Sequence, residues 1–136
     1  MLLVVETNIL YSFFWKNSPT HKILSSAEVE LFAPKFALTE LDKHKEGILF
    51  NSKIKGSEFS ELKRLLSMLV EFADISEYSG FIEEAKSLFP EHLKDVDFFA
   101  LALKLNCSLW SKEKLHAKQS KVKVYSTSEL LKELGL

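Results

Sequence analysis

The first five positions, Met1-Leu2-Leu3-Val4-Val5, are all apolar and give way at once to Glu6-Thr7-Asn8. A short run without polar alternation suits a strand covered on both faces, the usual condition of a strand in a parallel sheet. Residues that follow such a strand stand at its carboxyl end, where open α/β sheets place their ligands. A carboxylate, a hydroxyl and an amide would then arrive together at the rim of the sheet. The alternative is that Thr7 or Asn8 caps the next helix and Glu6 is solvated.

Beyond this stretch the pattern alternates between strand and helix. Residues 9–15 read as a short buried helix. Ser18-Pro19 then opens a second helix through about residue 27, with Ser18 as N-cap and Pro19 in the first turn. A brief strand at 29–33 is closed by Pro34. From Lys35 the apolar positions Phe36, Leu41, Ile48 and Leu49 recur near the helical period. Residues 51–56 form a polar break, after which Ser57 or Ser60 opens a helix whose Leu62, Leu65, Leu66 and Leu69 face the core. A strand at 70–75 leads into Asp74-Ile75-Ser76-Glu77, spaced as a capping box for a helix that Pro90 ends. Residues 94–105 read as a buried helix opened by Asp95 and Asp97 and stopped at Asn106. Strands at 108–110 and 122–125 follow, and Ser126 and Glu129 box a final helix. Together these elements predict one domain over residues 1–136, a three-layer α/β sheet structure.

Composition narrows the chemistry. The chain has 136 residues, 46% hydrophobic and 27% charged, as in an ordinary globule. Its net charge of −1 means that nucleic-acid binding would need a local basic patch. Cys107 is the only cysteine, which excludes an intramolecular disulfide and a multi-cysteine metal centre and points to a cytoplasmic protein. It reads as a buried small hydrophobe. No signal peptide or membrane span is expected, because Glu6 interrupts the opening apolar run and no other run is long enough. The four glycines, Gly47, Gly56, Gly80 and Gly135, cannot build a Walker A loop or a dinucleotide turn, and no GxSxG elbow is present. The histidines His21, His44, His92 and His116 lack zinc-ligand spacing. Phe13, Phe14 and Trp15 fit a core or a dimer surface better than a base-stacking platform.

The acids fall in a pattern on this map. Glu6 follows the first strand and Glu113 the fourth, Glu40 lies in the helix after the second, and Asp95 and Asp97 open the helix before the fourth. Taken singly, Asp95 reads as an N-cap, Asp97 as a complement to the helix dipole, and Glu40 with His44 as solvated neighbours four residues apart. Gathered at one rim, they would have to retain protons or bind a cation, and hard oxygen donors select Mg²⁺ or Mn²⁺.

Four stretches resemble the motifs of the PIN-domain family. Val5-Glu6-Thr7-Asn8-Ile9-Leu10 is similar to its opening motif, hydrophobic-Asp-Thr-Asn-x-Leu, with Glu6 in place of aspartate. Pro34-Lys35-Phe36-Ala37-Leu38-Thr39-Glu40-Leu41 resembles the second, with Glu40 as its acid. Asp95-Val96-Asp97-Phe98-Phe99-Ala100-Leu101-Ala102 resembles the third. Leu109-Trp110-Ser111-Lys112-Glu113-Lys114-Leu115 resembles the fourth, Trp-Ser/Thr-x-Asp-x-x-Leu, again with a glutamate for the aspartate. The resemblance implies a parallel five-stranded sheet in the order 3-2-1-4-5 within an α/β/α fold. It also implies a metal-dependent ribonuclease of the kind found among toxin–antitoxin toxins and RNA-processing factors. Glu6, Asp95 and Glu113 would hold Mg²⁺ or Mn²⁺, Asp97 would be auxiliary, and Glu40 would bind directly or through water. Thr7, Asn8 and Ser111 would support these carboxylates. RNA would be the substrate, an antitoxin a possible partner, and a homodimer the expected assembly. Lys112, Lys114, Lys118 and Lys121 form a basic cluster suited to an RNA backbone or, equally, to protecting an edge strand. Glu6 and Glu113, each one methylene longer than aspartate, leave a second reading open: a weak or inactive PIN domain that binds RNA or protein.

Overall fold

The computed structural model describes residues 1–90 and 93–136. Glu91, His92 and the side chain of Leu115 lie outside that description, so the reading of His92 does too. Five strands, β1 (Leu2–Val5), β2 (Glu30–Pro34), β3 (Val70–Ala73), β4 (Ser108–Trp110) and β5 (Val124–Tyr125), form one sheet in the order β3-β2-β1-β4-β5. Every pairing is parallel. The chain therefore builds outward from β1 to β2 and β3, then crosses back to β4 on the other side. That reversal makes the gap between the carboxyl ends of β1 and β4 the switch point of the sheet. In β1, Leu3, Val4 and Val5 are fully buried, as the absence of polar alternation predicted.

The helices that flank the sheet are α1 (Thr7–Ser12), α2 (Thr20–Leu24), α3 (Phe36–Lys43), α4 (Lys45–Ser52), α5 (Gly56–Leu69), α6 (Ile75–Tyr78), α7 (Ile82–Leu88), α8 (Val96–Leu105) and α9 (Thr127–Glu133). The most apolar of them, α8, buries Val96 and Phe98 to Ala102 and packs on β1, β2 and β4. It ends at Asn106, whose φ of 50° is the left-handed stop that asparagine tolerates. The box before α9 is complete: Ser126 Oγ accepts the Glu129 amide at 3.2 Å, and the Glu129 carboxylate accepts the Ser126 amide at 3.0 Å.

Several boundaries differ from the sequence reading. The helix expected from Lys35 is two helices, because His44 leaves helical geometry at φ −101° and ψ 13°. Segment 74–89 is likewise divided, by a 3₁₀ turn at Ser79–Phe81. Pro34 belongs to β2 and stands opposite Ala73, at the strand end where a missing N–H costs least. Neither serine opens α5. Lys55 precedes its first residue, Gly56, and the Glu58 carboxylate reaches back to the Lys55 amide at 3.2 Å. Of the predicted leucine stripe only Leu66 is buried, Leu62 and Leu69 pack partly against the core, and Leu65 is exposed. Phe59 takes the remaining core position. Phe13 and Phe14 are core, whereas Trp15 is partly exposed, and Cys107 is only half-buried.

Candidate active site

Parallel pairing of Val5 with Trp110 brings the ends of β1 and β4 side by side, and the Glu6 amide continues the ladder to the Trp110 carbonyl at 3.1 Å. Glu6 and the segment from Ser111 to Glu113 thus leave the sheet together. Beside them lies a cavity of about 530 Å³, lined by Glu6, Glu40, Asp95 and Glu113 from four separate segments. Thr7, Asn8, Tyr11, His44, Lys94 and His116 share its wall, together with Phe36, Phe89 and Phe98. The sequence had marked all four acids individually; the fold gathers them.

Glu6 is neither solvated nor passed over as a cap. It is itself the N-cap of α1: its Oε1 accepts the Asn8 amide at 3.0 Å, and the residue is only 5% exposed. Asn8 therefore supports Glu6 through its backbone rather than through its amide side chain. The other oxygen, Oε2, is buried without a hydrogen-bond partner. Burial pushes the Glu6 carboxyl above its ordinary range. The Asn8 amide and His116 oppose that shift, and Asp95 and Glu113 reinforce it. Tyr11 is raised too, first by burial and then by Glu40 and Glu6.

Asp95 stands at the N-cap position of α8, yet its side chain makes no capping bond. Its Oδ2 instead approaches His116 Nε2 at 3.2 Å. Asp97 is not brought to the cavity. In the first turn of α8, its Oδ2 accepts the Tyr78 hydroxyl at 2.6 Å, and burial followed by this carboxylate drives the phenol's pKa upward. Glu113 is exposed at the rim, and its amide donates to Ser111 Oγ at 2.9 Å. Glu40 lies 3.5 Å from His44 Nε2, so that pair does form, but at the cavity mouth. Lys112, Lys114, Lys118 and Lys121 are exposed and line none of the cavity; Lys121 pairs with Glu84 at 3.4 Å. Lys94 is the lysine on the wall.

The sequence marked His116 as a histidine without zinc-ligand spacing, whereas it is 2% exposed and hydrogen-bonded to Ser111. Its burial depends on Phe89 and Phe99, whose approach no local spacing announces.

The donor set suits a hard divalent cation, since the carboxylates converge on one cavity and Glu6 Oε2 is buried without a partner. Among the described residues, however, no three such side chains already stand close enough to grip one ion. No described helix is long and apolar enough to cross a membrane.

An all-parallel α/β sheet with a cavity beside its switch point, lined by carboxylates from four segments, defines an acid-lined α/β domain. The family model of the PIN domain matches residues 4–134, and the chain belongs to the PIN-domain family, whose members are in general nucleases. No curated protein matches it in sequence.

Proposed function

We propose that this protein is a metal-dependent endoribonuclease. The observation that carries the reading is the buried, half-partnered Glu6 carboxylate on a cavity shared with Asp95, Glu113 and Glu40. Taking a carboxylate out of water without a partner is costly, and a cation at the same place offsets that cost. Glu6, Asp95 and Glu113 would hold Mg²⁺ or Mn²⁺, with Glu40 at the outer edge. Such an ion supplies a water nucleophile at neutral pH and charge stabilisation for in-line phosphodiester hydrolysis. The chain's own residues do the rest. The Asn8 amide fixes Glu6, Ser111 fixes the Glu113 backbone, and Lys94 offers the cavity wall a cation for phosphate. Asp97 supports α8 through Tyr78 rather than binding metal. Lys112, Lys114, Lys118 and Lys121, exposed and outside the cavity lining, would track RNA beyond the cleaved bond.

The test is a time course on end-labelled RNA with Mn²⁺, Mg²⁺ or EDTA, run beside Asp95→Asn. Cleavage should require metal and fall by at least about a hundredfold in the variant. RNA bound equally in EDTA, with no metal supporting cleavage, would instead favour a PIN domain that only binds RNA. That no three such side chains among the described residues stand ready to hold one ion is the observation behind that second reading.

A further inference from the structure

We infer that His116 is a positioning residue that ties the fourth-motif loop to Asp95, joining the hydrogen bonds at Ser111 to a close Nε2 contact with the Asp95 carboxylate. The inference rests on the nuclease reading for its purpose, but its geometry stands independently. Ser111 Oγ accepts the Glu113 amide at 2.9 Å and lies 2.7 Å from His116 Nδ1. Ser111 and His116 are only 3% and 2% exposed.

A hydroxyl has one proton to donate. If Nδ1 carried a hydrogen, both it and the Glu113 amide would point at Ser111 Oγ, and the hydroxyl proton would be buried with no acceptor among the described contacts. Leaving such a buried donor unpaired is costly. The arrangement is satisfied when Ser111 donates to a bare Nδ1, which places the ring proton of the neutral imidazole on Nε2. Nε2 is the atom 3.2 Å from Asp95 Oδ2.

That contact is short enough for an ion pair yet not aligned as a hydrogen bond, which leaves Nε2 without a partner. Asp95 makes no capping bond to α8, so a modest turn of its carboxylate can meet the waiting donor. The ring itself is fixed. Phe99 meets it edge-on at 5.2 Å and 87°, and Phe89 at 6.0 Å and 61°. The Gln119 amide holds the His116 carbonyl at 2.9 Å. Glu113 and Asp95, which come from distant segments, are thereby linked through Ser111 and His116. A protonated Nε2 has no lone pair for a metal, so His116 orients a ligand rather than serving as one.

The experiment uses the full chain with His116→Leu and His116→Gln. Mn²⁺ affinity is measured by calorimetry, and melting temperature in EDTA establishes that each variant is folded. Leucine keeps the apolar packing and removes the donor; glutamine returns a donor near the position of Nε2. Mn²⁺ affinity should fall about 10–100-fold in His116→Leu and be largely recovered in His116→Gln. In parallel, ¹⁵N NMR of the metal-free chain, well above the ordinary imidazole pKa, should find His116 in the Nε2–H tautomer. This second measurement needs neither metal nor a folded variant. Undiminished Mn²⁺ binding by a folded His116→Leu, or an Nδ1–H tautomer, overturns the inference while leaving the nuclease reading intact. Failure of the unaltered chain to bind Mn²⁺ overturns both.

Discussion

At the scale of single residues, Glu6 is a carboxylate held where a carboxylate is costly. Burial raises its pKa, and the one amide it accepts does not compensate. Between the ordinary glutamate pKa and this raised value, the folded chain keeps a proton that the unfolded chain has lost. Stability therefore falls as pH rises through that window and stays lowered above it. Glu6→Gln, which is neutral and can still accept the Asn8 amide, should melt higher than the unaltered chain in EDTA at neutral pH. The expected gain is on the order of 1 kcal/mol, or roughly 3–5 °C at this length. The gain should disappear below the ordinary glutamate pKa of about 4.3, where both side chains are uncharged. A variant that melts lower at neutral pH would show that Glu6 is stabilised by ionising, against this reading. Glu6 was legible as a candidate because it ends an apolar run. Its capping of α1 was not, because an acid and an amide two residues apart have many other ways to lie. Asp95 and Asp97 look equivalent in sequence. What separates them is Tyr78, nineteen positions from Asp97 in the chain and 2.6 Å away in space.

At the scale of elements, local chemistry was readable where a residue's own backbone preference decides the outcome. Asn106 stopping α8 and Ser126 with Glu129 opening α9 are of this kind. Boundaries set by packing were not readable: α3 breaks at His44, whose ring contact with Tyr11 at 5.8 Å is tertiary. Helix α4 carries a backbone cost at its end. Lys53, its C-cap, sits at φ 59° and ψ 40°, a left-handed conformation in which a Cβ is crowded. Lys53 is exposed, so its side chain contributes little packing to lose. Lys53→Gly should therefore raise stability by about 0.5–1 kcal/mol, the relief of the left-handed strain exceeding glycine's extra unfolded-state entropy. Urea unfolding with unchanged m-value would register it as a shift in midpoint. A lower midpoint would mean that the Lys53 side chain holds something its exposure does not suggest.

At the scale of the whole molecule, the strand order was legible through the family resemblance, whereas buried apolar runs alternating with helices indicated by themselves only a layered α/β sheet. The cavity was legible only as a set of acids, two of them after strands and the others on helices. Its aromatic wall, Lys94 and the buried His116 arise from segments that meet only after folding. Topology thus gathers Glu6, Glu40, Asp95 and Glu113 around one space, and like charges so placed oppose the compact state. Two substitutions made together, Asp95→Asn and Glu113→Gln, should relieve that repulsion and raise the melting temperature in EDTA. Mn²⁺ should stabilise the unaltered chain by about 2.7 kcal/mol at a hundred times its dissociation constant, roughly 10 °C here, and should do little for the double variant. The two effects have opposite dependence on metal, so an unrelated change in packing cannot imitate both. Sodium chloride at about 0.1 M, where screening acts over roughly 10 Å, should recover only a small part of what Mn²⁺ provides, because buried and half-buried charges are poorly screened. If sodium chloride matched Mn²⁺, the acids would be ordinary repelling neighbours. A response confined to divalent ions and abolished by the double variant would mean that folding and cation binding share the same carboxylates.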